Sequence, residues 1–108
     1  MTQQDTQQPQ VTFVNRFTVS GSPQEFEDAF ARIAAFMKEQ PGIIGYTLSQ
    51  DVKDPQRYVN IARWEHAGAL RAAVGHPEFQ SHVEDLRQLA RSESELYAER
   101  HRYLDRAV

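Results

Sequence analysis

Four side chains in this sequence have the types and spacing to hold and activate a flat organic molecule: Asn15, Asn60, Trp64 and His82. Residues 57–65 alternate like a β-strand that runs straight into a helix. Tyr58, Asn60, Ala62 and Trp64 then share one face, and Val59, Ile61 and Arg63 share the other. A carboxamide beside a phenol and the chain's only tryptophan suits a pocket that orients a flat ring. The plainer reading is a mixed face, with Trp64 plugging the core and Asn60 bonded to a neighbour. Asn15 sits in the middle of the apolar row Val11, Phe13, Phe17 and Val19. A buried amide without partners costs about 1–3 kcal/mol. Asn15 therefore either bonds to nearby backbone or points into a pocket. His82 follows Phe79 by three residues and precedes Leu86 by four, which places it on their helix face. There it is either a satisfied core histidine or a proton acceptor working near neutral pH.

These residues need elements to position them. Residues 11–19 read as a half-buried strand. Ser22, Pro23 and Glu25 mark a helix start, and Phe26, Ala29, Phe30, Ile33 and Met37 form its core stripe. Pro41-Gly42 ends that helix. Residues 43–50 and 56–64 read as antiparallel strands joined by a hairpin loop over 51–55. A short alanine-rich helix follows over 66–74, and Gly75-His76-Pro77 interrupts it. The next helix runs to about residue 91, with Phe79, Val83, Leu86, Leu89 and Ala90 facing inward. Residues 93–103 read as an edge or interface strand. Strand, helix, strand, strand, helix, strand is the ferredoxin-like βαββαβ order, an α+β fold with helices on one face of a four-stranded antiparallel sheet. The other face carries Val14, Val59 and Ile61 and has nothing left to cover it. A homodimer with sheets packed face to face is the expected solution.

Composition narrows the classes. A chain of 108 residues is one domain, and residues 1–10, with five glutamines, read as a disordered tail before a domain over 11–104. A net charge of −3 and no basic stripe argue against nucleic acid. The absence of cysteine excludes thiolate chemistry and disulfides. No apolar run reaches the roughly 20 residues that span a bilayer, so no membrane partner is expected. The N-terminus does not read as a signal peptide, and a cytoplasmic location is the default. No glycine-rich phosphate loop offers a flavin or nicotinamide site. The histidines at 66, 76, 82 and 101 lack metal-site spacing.

The Phe13-Val14-Asn15 strand, the Pro41-Gly42 break, and residues 58–65 followed by an alanine-rich helix resemble the antibiotic biosynthesis monooxygenase family over residues 11–103. The resemblance implies a dimeric α+β barrel. In one branch, small enzymes oxidise polyketide anthrones and phenols to quinones with O2 and no cofactor. Asn60 and Trp64 match that branch's site asparagine and tryptophan. Ser49 and Leu70 stand near positions where it can carry a histidine and a tyrosine. In a second branch, haem-degrading monooxygenases use a first-strand asparagine, matched by Asn15, and a haem-ligating histidine, matched at or next to His82. The tryptophan of that branch falls at Ala73 here.

Three functions follow as expectations. The first is a cofactor-independent monooxygenase acting on a small aromatic substrate. Asn15, Asn60, Trp64 and His82 would be its catalytic set, with His82 as base. Phe13, Phe17, Tyr58, Leu70 and Phe79 would bind the substrate. The second is haem binding or degradation with His82 as axial ligand. The third is a non-catalytic binder of an aromatic compound.

Overall fold

Two periodicities, two for strands and 3.6 for helices, lay out the chain. The computed structural model describes residues 8–105. In order they form β1 (Val11–Val19), α1 (Pro23–Met37), β2 (Ile43–Gln50), β3 (Arg57–Trp64), α2 (Ala67–Val74), α3 (Pro77–Arg87) and β4 (Ala90–Ala98). The strands make one antiparallel sheet in the order β2-β3-β1-β4. This is the expected ferredoxin-like fold, with its second crossover split into α2 and α3.

Local chemistry sets the helix starts. Ser22 Oγ accepts the Glu25 amide at 3.2 Å, and Pro23 opens α1. Two histidines do the same work further on. His66 Nδ1 accepts the Ala69 amide at 3.1 Å, and His76 Nδ1 accepts the Glu78 amide at 3.0 Å. His66, expected as the first helical residue, is therefore the cap of α2. An imidazole nitrogen replaces the usual Ser, Thr, Asp or Asn oxygen. Gly42 is required where α1 turns into β2. Its φ is +93°, and a Cβ there would stand 2.5 Å from Ala69 Cβ. That close approach seats α2 on the turn.

The last third departs from the expected boundaries. α3 stops at Arg87, and β4 spans Ala90–Ala98 rather than 93–103. Ser20 explains the shift. Its amide and hydroxyl both donate to Leu89 O, at 2.9 and 3.2 Å, and Val19 pairs with Ala90. Leu89 and Ala90 still pack on the core, but from the strand side. Of the tail expected to be disordered, residues 1–7 lie outside the described residues. Gln10 is held: its Oε1 accepts from Arg63 Nη2 at 2.7 Å.

The core divides in two. Phe17, Phe26, Phe30, Ile33, Tyr58 and Leu86 belong to one cluster. Val11, Ala62, Trp64, Leu70 and Ala73 form the other, and Met37 packs against both. All of this lies on the helix-covered side. On the opposite face none of the described residues is buried; Ile61 is 39 % exposed, and Arg16 pairs with Glu95 at 3.2 Å.

Candidate active site

The seam between the two clusters is hollow. Asn15 and Asn60 sit opposite each other in the β1–β3 ladder, with Phe13 opposite Ala62 and Val11 opposite Trp64. Alternation therefore sets both amides and the indole on the helix-covered side. They floor a cavity of about 80 Å³. The sheet contributes Phe13, Asn15, Phe17, Ile43, Tyr46, Asn60, Ala62 and Trp64. α1 roofs it with Phe30, Ile33, Ala34 and Met37. Val74, Phe79, Val83 and Leu86 close it from α2 and α3.

Asn15 Oδ1, Asn60 Oδ1 and Trp64 Nε1 are buried here with no hydrogen-bond partner among the described residues. Leaving one such group unpaired costs about 1–3 kcal/mol, and native proteins rarely do so. Three on one wall of an apolar cavity are groups that a bound polar molecule can satisfy. Each carboxamide can present either its carbonyl or its NH2, so the pair can meet a hydroxyl or an oxyanion.

Not every expected residue reaches the cavity. Phe13, Phe17 and Phe79 line it. His82 does not. It lies in a groove between α1 and α3 with Arg32 and Phe36, and its Nε2 is 3.7 Å from Glu78 Oε2. On the helical wheel His82 sits on the α1 side of the Phe79–Leu86 line, and that small rotation takes it out of the hollow. Leu70 is 6 % exposed and fills the core cluster of Trp64 instead of the cavity wall. Ala73 is in that cluster too. Ser49 belongs to the opposite face, where a hollow of about 280 Å³ is lined by Arg16, Arg57, Arg91, Asp51 and Glu93. That hollow is larger, but charged side chains line it, and the three orphaned polar atoms are not in it.

Tyr58 shares the face of Asn60 yet is closed off by its own bonds. Its hydroxyl donates to Glu27 Oε2 at 2.5 Å and accepts from Gln50 Nε2 at 3.1 Å. Burial first, then the Glu27 carboxylate, push its phenol up to about 12 from the ordinary 10.0. The folded state thus holds a proton that the unfolded chain gives up sooner. The resulting stability is fully present below about pH 10 and drains away as pH rises towards 12. The Glu95 carboxylate also raises Tyr97, so absorbance titration of tyrosinate should show late-titrating groups, of which Tyr58→Phe removes the one near 12. The same variant should flatten the fall of Tm between those pH values; an unchanged titration would contradict the assignment of the late group to the buried Tyr58 hydroxyl.

Of the wall residues that sequence reasoning missed, Tyr46 is the one with a polar group. Gly45, a glycine inside a strand, was the available signal. The ladder pairs Ile43 with Trp64, Gly45 with Arg63 and Tyr46 with Ala62, a bulge that brings Ile43 and Tyr46 onto the same face. Among the described residues, the wall carries no Asp, Glu, His, Lys or Arg.

The family model described as antibiotic biosynthesis monooxygenase matches residues 11–85. The chain belongs to the antibiotic biosynthesis monooxygenase family. It is 48 % identical to deoxynogalonate monooxygenase of Streptomyces nogalater over 91 residues, covering 84 % of this chain and 77 % of that one. The crystal structure of SnoaB, described as a cofactor-independent oxygenase from the same organism, superposes with a TM-score of 0.86 at 45 % identity. That match covers 90 % of this chain and 99 % of SnoaB. A mycobilin-producing heme oxygenase of Mycobacterium tuberculosis is 32 % identical over 64 residues, 59 % of this chain and 61 % of that one. Within the family fold, the apolar hollow over Asn15, Asn60 and Trp64 is the candidate site. No helix among the described residues is long and apolar enough to cross a membrane.

Proposed function

We propose that this protein is a cofactor-independent monooxygenase that oxidises a phenol- or anthrone-type aromatic with O2. One observation carries the reading: three partnerless polar atoms face an otherwise apolar, aromatic-walled cavity. The likeness to deoxynogalonate monooxygenase and SnoaB supports it. The chemistry balances without an external reductant. An anthrone methylene and O2 give a carbonyl and water. The substrate loses a proton to solvent, and its anion passes an electron to O2. Recombination forms a C–O bond; loss of the second C–H proton and cleavage of O–O release water. The side chains' part is to stabilise the anion and exclude bulk water. Asn15 and Asn60, through their NH2 groups, and Trp64 Nε1 donate to the substrate oxygens where the oxyanion develops, and the phenylalanines pack the rings. His82 stands outside the cavity, so the role of base does not fall to it.

Haem fits these residues poorly. An axial ligand is needed on the wall, and His82 lies in the α1–α3 groove instead. Oxygen-electrode measurements with dithranol, a three-ring anthrone, test the reading. Uptake should need neither hemin nor metal. Tight binding without uptake would leave a non-catalytic binder, and uptake only after hemin is added would restore haem.

We further propose a homodimer joined through the open sheet face, because that face carries Val14, Val59 and Ile61 with nothing buried over them. Light scattering at micromolar concentration should give twice the chain mass of 12.4 kDa; a monomer mass would sink it.

A further inference from the structure

Resting on the oxygenase reading, we propose that Tyr46 is the specificity-determining residue of the cavity. Its ring forms the outer wall of a slot for one flat ring, and its hydroxyl bonds a peripheral hydroxyl of the substrate. Three observations carry this. The first is the bulge. An unbroken ladder from Ile43 opposite Trp64 would set Tyr46 opposite Ile61, on the open face. The shift between Ile43 and Gly45 places it opposite Ala62, on the cavity side.

The second is the row this creates across the sheet. Tyr46, Ala62 and Phe13 stand side by side on β2, β3 and β1. Adjacent strands lie about 4.8 Å apart, so Tyr46 and Phe13 are separated by roughly 10 Å of backbone. Ala62 contributes only a methyl group between them. Stacked aromatic rings keep their centroids about 4.5–7 Å apart, so the gap suits one flat ring held between two others. Asn60 and Trp64 bound the same slot along β3, because both flank Ala62 on its own face.

The third is the state of Tyr46 itself. It is 40 % exposed, and its ring meets Phe30 edge-on with centroids 6.3 Å apart. Its hydroxyl makes no hydrogen bond among the described residues, and it is the one hydroxyl among the residues that line the cavity. The floor offers partners to one end of a ligand, the rim offers one to the other, and everything between is apolar. That is the pattern of a flat polyphenol oxygenated at both ends. A cavity of about 80 Å³ is also smaller than such a ligand. Drug-sized ligands occupy roughly 300 Å³ or more. The half-exposed rim ring is the wall able to give way.

The test compares chrysophanol and emodin, three-ring quinones that differ by one peripheral hydroxyl. Quenching of Trp64, the chain's only tryptophan, reports binding. The native protein should hold emodin about five- to tenfold tighter, the worth of one hydrogen bond. Tyr46→Phe should erase that preference while leaving chrysophanol affinity unchanged. Tyr46→Ala should weaken both, since the wall is gone. A preference that survives Tyr46→Phe, or no preference in the native protein, overturns the assignment. Oxygen uptake with dithranol is read alongside. A preference that depends on Tyr46 without uptake removes the oxygenase reading and keeps Tyr46; uptake with no such preference does the reverse.

Discussion

Asn60→Ala should cut turnover by about 100- to 1000-fold, the usual effect of removing one preorganised donor from a developing oxyanion. It should do so without unfolding the protein. Asn60 Oδ1 has no partner to lose, so truncation deletes a buried, unsatisfied group rather than a bond. Stability is expected to stay within about 1 kcal/mol of the native value or to rise. A structural asparagine behaves in the opposite way, because its removal strands a bonded neighbour. Asn15, its cross-strand partner, should follow the same pattern. Steady-state oxygen uptake and thermal unfolding on the same samples decide it. A drop in Tm of several degrees with turnover per folded molecule intact would assign both amides to packing.

Ile61→Lys should convert the proposed homodimer to monomers at micromolar concentration. Ile61 lies mid-strand on the face that no helix covers, between Val59 and Arg63, and is 39 % exposed within one protomer. A charge there costs the protomer little. Pressed against a second sheet, it would sit unpaired in an apolar contact, which is strongly unfavourable. Folding coupled to association should also lose its dependence on protein concentration, seen as a Tm that no longer rises with it. A variant that keeps twice the chain mass would show that the sheets do not meet through this face.

The sequence was most informative where one periodicity ran without interruption. Val11 to Val19 and Arg57 to Trp64 alternate cleanly, so the facing of Asn15, Asn60 and Trp64 could be read directly. Sequence order alone gave the ferredoxin-like arrangement. Four things could not be read. Tyr46 reached the cavity through a bulge, and one inserted residue reverses every facing beyond it. His82 missed the cavity by a fraction of a helical turn, a difference set by how α3 docks on α1 rather than by spacing. The end of α3 moved because Ser20, from a distant turn, claimed the Leu89 carbonyl. Tyr58 had the right face but a closed hydroxyl, since Glu27 on α1 was waiting for it.

The central claim is that these side chains alone, without haem, flavin or metal, put one atom of O2 into an aromatic substrate. Turnover of dithranol by chelator-treated protein under isotopically labelled dioxygen tests it most directly. One labelled atom should appear in the new product carbonyl and the other in water, at a rate that Asn60→Ala lowers by about 100-fold or more. Product oxygen drawn from unlabelled water, or turnover that begins only when hemin, flavin or metal is supplied, would contradict it.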